Sequence, residues 1–98
     1  MAYMPYLKYS FYATLLLVNL KRNEQYLKAF GENLRILRKK HSLSMMQLAF
    51  EAEIEYSQIA KIERGLINTT ISTAYTLAVA LKIKPEELFK FDYSPKDK

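Results

Sequence analysis

The chain of 98 residues has no cysteine, two glycines, three prolines and one histidine. Without cysteine there is neither a disulfide scaffold nor a thiolate metal site, a composition that suits a reducing cytoplasm. So little glycine and proline argues against many short strands joined by turns and in favour of helices. No Gly-rich phosphate loop and no metal-ligand cluster is present. His41 follows a basic stretch and reads as a solvated side chain. Glu86 and Glu87 are neighbours in sequence, so on a helix they point in different directions. They suit the helix dipole better than paired acid–base work. An enzyme is therefore not expected, and no cofactor or metal is expected either.

Long hydrophobic runs are also missing. Phe11–Val18 (FYATLLLV) is apolar, but Lys8 and Asn19 bound it closely, and a spanning helix needs about 20 apolar residues. No membrane span is expected. The run makes a poor signal peptide, with a single Lys before it and no small-residue cleavage site after it. A translated leader upstream of the functional start is a third reading, although no Met lies between Met4 and Met45. The simplest expectation is that residues 1–22 form a loosely attached or partner-covered N-terminal arm.

What remains is a globular composition, 50% hydrophobic and 26% charged, with a net charge of +5 and a pI near 9.4. This length fits one domain. The basic balance favours polyanions such as nucleic acid or anionic membrane. The domain is expected over residues 23–91, with a frayed tail over 92–98.

From Asn23 the pattern is a series of short helices. The first spans Asn23 to His41, with Tyr26, Leu27, Phe30, Leu34 and Leu37 at three- and four-residue spacing. Its end is basic, with Arg35, Arg38, Lys39 and Lys40, which complements the dipole. Ser44-Met45-Met46-Gln47 matches the capping box that opens a second helix, whose inner face is Leu48, Ala49 and Ala52. After a break at Glu53–Glu55, a third helix runs from Tyr56 to Arg64, with Ile59 and Ile62 inward. Gly65 stands where a left-handed C-terminal cap is expected. Thr70 or Ser72 caps a fourth helix that buries Ala74, Leu77, Ala78 and Leu81. Pro85 opens a short fifth, ending at Phe89. The expected fold is all-α: a compact five-helix bundle with an extra N-terminal arm or helix. The tight pair formed by the second and third helices is a helix-turn-helix candidate.

The residues of that pair resemble a known family. Leu43-Ser44-x-x-x-Leu48-Ala49 followed by Ile54-x-x-Ser57-x-Ile59-x-x-Ile62-Glu63-Arg64-Gly65 is similar to the Cro/C1-type, or XRE-like, helix-turn-helix regulators. These include phage repressors, restriction-modification controller proteins and many antitoxins. The likeness covers about Phe30 to Phe89. It implies a lambda-repressor-like DNA-binding domain. It also implies that Glu63 pairs with Arg38 on the first helix, locking the reading helix to the scaffold.

In that family the third helix lies in the major groove with its N-terminal residues at base edges. The resemblance places Tyr56, Ser57 and Lys61 at base-reading positions. Lys61 would donate to guanine O6 and N7, Ser57 would donate or accept, and Tyr56 would touch a thymine methyl or a phosphate. Blander readings stand beside these: Lys61 as a solvated charge, Tyr56 packed sideways on the turn. Gln58, Arg64, Ser44 with its helix N-terminus, and Asn68, Thr69 and Thr70 are the expected backbone contacts. Arg35, Lys39 and Lys40 read as a solvated face with general attraction to DNA. Met45 departs from the family, which often carries Gln there, because a thioether donates no hydrogen bond. Glu55 either accepts from a cytosine amine or repels phosphate at wrong sites. Leu66-Ile67 is apolar where the family is often polar.

The expected function is sequence-specific binding of double-stranded DNA by a small transcriptional regulator, as a homodimer on a near-palindromic operator. Leu88, Phe89 and Phe91, with the arm, are the expected dimer surface. The rival is an antitoxin-like or other protein-interaction module with a protein partner, whose DNA binding is autoregulatory.

Overall fold

In the computed structural model, residues 22–95 are described. Residues 1–21, which hold the apolar run Phe11–Val18 and nearly all of the N-terminal arm, lie outside them, as do residues 96–98. The described chain has four α-helices and no strand: α1 (Glu24–Lys40), α2 (Met45–Ala52), α3 (Tyr56–Glu63) and α4 (Ile71–Leu81). A 3-10 helix over Pro85–Phe89 follows.

Local chemistry sets several of the boundaries. Asn23 caps α1 by accepting from the Tyr26 amide at 2.9 Å. Ser44 and Gln47 form a reciprocal capping box on α2, with the Ser44 hydroxyl accepting from the Gln47 backbone amide and the Gln47 side-chain Oε1 accepting from the Ser44 backbone amide. Of the two candidates for α4, Thr70 is the cap. Gly65 follows α3 at φ 74°, a left-handed conformation that costs glycine little. Its amide donates to the Ile62 carbonyl, and that of Leu66 to the Lys61 carbonyl. Glu53 closes α2 in the same left-handed region without that freedom.

The expected fifth α-helix is a 3-10 helix instead. It holds only five residues, and short runs favour the tighter i to i+3 bond. Two of its carbonyls, of Glu87 and Leu88, accept from the buried Asn33 side-chain amide at 3.0 and 2.8 Å. One polar side chain on α1 thus holds the end of the domain.

The apolar stripes meet in one core. Leu34, Leu48, Ile59, Ile62, Leu77, Leu81 and Leu88 are fully buried, with Phe30, Leu37, Ala49, Ala52, Ala74 and Ala78 around them. α3 packs on α1 and α2, α2 also packs on α4, and α1 and α4 flank the 3-10 helix. Ile54 plugs the turn between α2 and α3. Gly31 lies where α1 crosses the end of α3. A Cβ there would stand 2.5 Å from the Glu63 carbonyl oxygen and closer still to that of Ile62.

One expectation needs correction. Leu88 is core, with no exposed area, and Phe91 packs partly buried against the same core. Of the three residues expected at a dimer surface only Phe89 is exposed, because the 3-10 turn rotates Leu88 inward. Within the stretch expected as a tail, Tyr93 is attached to the domain. Tyr93 stacks edge-on against Tyr26, with ring centroids 5.0 Å apart, and its hydroxyl donates to Asn23 at 3.1 Å. That bond ties the end of the domain to its first cap.

Candidate nucleic-acid interface

The two short helices α2 and α3 are marginal alone, so packing must hold them in place. Ile59 and Ile62 bury one side of α3 in the core. Its far end is held by a pair of charges. The Arg38 Nε donates to Glu63 Oε2 at 2.5 Å and Nη2 donates to Oε1 at 2.9 Å, with both side chains buried. Arg38 Nη1 also donates to the Leu43 carbonyl at 2.8 Å. The guanidinium thus joins α1, the α1–α2 connection and α3. Hydrogen bonding to Glu63 raises the Arg38 pKa above its ordinary value, against the opposing effect of burial. The bidentate fork suits a positional role, since it fixes orientation as well as distance.

With its inner side fixed, α3 turns Tyr56, Ser57, Gln58 and Lys61 to solvent, and Arg64 is exposed just past its end. Tyr56 is 46% exposed and not sealed against the turn. Ser57, Lys61 and Arg64 follow at helical spacing along one face. Ser44 is exposed at the start of α2.

Arg64 lies in a cleft with Arg38 and Glu63, while Asn68, Thr69 and Thr70 line a separate apolar groove with Tyr26, Phe30, Ile71 and Phe89. The Thr70 hydroxyl is engaged in its own cap, accepting from the Thr73 amide and donating to the Thr73 hydroxyl. Thr69 is half-buried, its hydroxyl without a partner. Met45 packs partly against the core. Ile67 does likewise, whereas Leu66 stays exposed.

Sequence reasoning passed over one surface. Ile71, Tyr75 and Val79 are 89%, 59% and 56% exposed along the outer side of α4. Their i, i+4, i+8 spacing was a readable signal, hidden by the equally apolar inner stripe of the same helix.

Among the described residues no group of three His, Cys, Asp or Glu could hold a metal ion, and no helix is long and apolar enough to cross a membrane.

A tight pair of helices, pinned from behind and open on one face, defines a helix-turn-helix protein. The chain belongs to the Cro/C1-type helix-turn-helix family, whose pattern (HTH_3, Helix-turn-helix) matches residues 34–88. Among proteins of known structure it is similar to the restriction-modification controller protein C.AhdI from Aeromonas hydrophila. The two are 41% identical, with a TM-score of 0.63 over 64% of this chain and 96% of that one. It is 33% identical to the control protein C.BamHI of Bacillus amyloliquefaciens over 63 residues, 63% of this chain and 78% of the relative. An HTH_3 family transcriptional regulator from Vibrio cholerae has a TM-score of 0.64 at 26% identity, over 66% of this chain and 36% of its own.

Proposed function

We propose that this protein is a small transcriptional regulator of the restriction-modification controller kind. It binds double-stranded DNA by seating α3 in the major groove. Tyr56, Ser57 and Lys61 read base edges, and Ser44, Gln58, Arg64 and the 68–70 loop meet the backbone. The observation that carries this reading is the two-sidedness of α3. Ile59, Ile62 and Glu63 are buried, while Tyr56, Ser57 and Lys61 stand free on the other side. The similarity to C.AhdI and C.BamHI supports the controller role. Duplex DNA as partner places the protein in the cytoplasm, and no catalytic step enters the reading.

One such domain covers a small half-site, so the working unit is a homodimer on a near-palindrome, with half-site centres about 34 Å apart. The exposed α4 stripe of Ile71, Tyr75 and Val79 is the surface that suits self-association. Selection of bound sequences from a random duplex pool tests the whole reading. Two related half-sites in inverted order are expected; recovered sites without two-fold character would remove the dimer. Lys61→Ala is expected to relax preference at one base position, at about 1–3 kcal/mol of discrimination. Unchanged selected sites would take Lys61 out of the reading set.

A further inference from the structure

We infer that the cleft between α1 and the end of α3 is a second DNA-backbone seat, gripping phosphates that flank the groove read by α3. This rests on the DNA reading proposed above and adds a site to it. The cleft has a volume of about 630 Å³. Lys28, Arg35 and Lys39 line one wall from α1, and Arg64 lines the other from the end of α3. Glu32 and Glu63 are its only carboxylates, and Glu63 is engaged with Arg38. Four exposed cations therefore converge with one carboxylate, Glu32, left to oppose them. None of the four takes part in an ion pair among the described residues. Like charges gathered without internal partners repel one another, and an external anion relieves that repulsion.

Two further features select a duplex backbone as the anion. First, the cleft continues the reading face. Ser57, Lys61 and Arg64 run along one side of α3, and Arg64 is both the last of that row and a wall of the cleft. A duplex seated on Ser57 and Lys61 carries its sugar-phosphate strand onward past Arg64. Second, a small residue lines the cleft between its charged walls. It is Ala60, and a longer side chain there would project into the space that a phosphate strand needs. On α1, Lys28, Glu32, Arg35 and Lys39 share one side at intervals of three and four residues, so a strand following the cleft meets several cations in succession.

The test uses the full chain and a short random-sequence duplex, with affinity measured over a series of salt concentrations. Each phosphate that the protein no longer neutralises flattens the slope of log affinity against log salt by about 0.9. Over a fourfold rise in salt that is about a threefold change per phosphate. The Arg35→Gln/Lys39→Gln double variant is expected to flatten the slope by about twice that amount and leave the selected base sequence unchanged. Ala60→Leu, which alters no charge, is expected to weaken binding by filling the seat. Lys82→Gln/Lys84→Gln makes the same charge change at residues that do not line the cleft, and is expected to move the slope much less. An equal effect from that pair, or an unchanged slope in the cleft variant, overturns the inference while leaving the reading helix intact. Absence of duplex binding by the unaltered protein overturns the DNA reading and the cleft with it. Inorganic phosphate, compared with chloride at equal ionic strength, is expected to displace the duplex no better. Selective displacement would make the cleft a free-anion site instead. Thermal melts of every variant identify any weakening of binding that comes from unfolding.

Discussion

The seam where α1 crosses α3 and the outer edge of α4 are built on opposite rules. At the seam, backbones approach so closely that Gly31 has no room for a Cβ, and a buried ion pair fixes the angle between the helices. At the edge, Ile71, Tyr75 and Val79 stand in solvent although the inner side of the same helix buries Leu77 and Ala78 completely. Surface given to the seam decides where α3 sits. Apolar surface left on the edge is the surface to which the proposed function assigns self-association. Substitutions at the two places should therefore separate, with folding lost at one and assembly at the other.

The largest effect is expected from Glu63→Ala. It strands the buried Arg38 guanidinium without its carboxylate, at about 3–5 kcal/mol of stability, read as a shift in urea midpoint. Replacing both partners by apolar residues, Arg38→Met with Glu63→Leu, should recover most of that loss, because the cost lies in the unpaired charge. A loss under about 1 kcal/mol for Glu63→Ala, as for an exposed pair, would mean that the pair is not what holds α3.

Gly31→Ala comes next. Alanine gains about 1 kcal/mol in helix propensity. Its Cβ would press on the carbonyl oxygens of Ile62 and Glu63, which belong to backbone and cannot swing away. Overpacking of this kind costs about 3 kcal/mol at the upper end of its usual range, so a net loss of about 2 kcal/mol is expected in the same urea measurement. A stabilised variant would show that α1 and α3 have slack between them, and would weaken the contrast with the edge.

How far the sequence alone reaches follows from where each constraint lives. The inner faces of α1 to α4 were legible, because apolar spacing and the caps at Ser44 and Gly65 are local signals. Asn33 was not, since its partners lie 54 and 55 residues away and an asparagine on a helix looks the same whether buried or exposed. Gly31 reads in sequence only as a weak point of α1; its reason belongs to the backbone of another helix. The 3-10 turn depends on how few residues separate two anchored ends, and periodicity does not report that. For the candidate site, the outward set on α3 followed from helical spacing and family resemblance. The pairing of Arg38 with Glu63 came from the resemblance alone. The cleft needed three dimensions, because Lys28 and Arg64 are far apart in the chain and become neighbours only when α1 crosses α3.

At the α4 edge the smallest effect on folding is expected, together with a large effect on assembly. Tyr75→Glu with Val79→Glu changes two exposed side chains on a helix where glutamate is a better helix former than valine or tyrosine. Monomer stability should move by no more than about 0.5 kcal/mol, the usual range for surface changes. The pair of carboxylates facing its own copy across the proposed two-fold axis would repel, so sedimentation is expected to show dimers for the unaltered chain and monomers for the variant. Binding to a two-half-site duplex should then fall by about a hundredfold or more, because the second half-site is no longer held at high effective concentration. Binding to an isolated half-site should be unchanged. If the variant remained dimeric, the self-association surface would have to lie elsewhere, and the exposed row on α4 would need another partner. If it became monomeric and also unfolded, the edge would be sustaining the fold after all, and its contrast with the α1–α3 seam would fail.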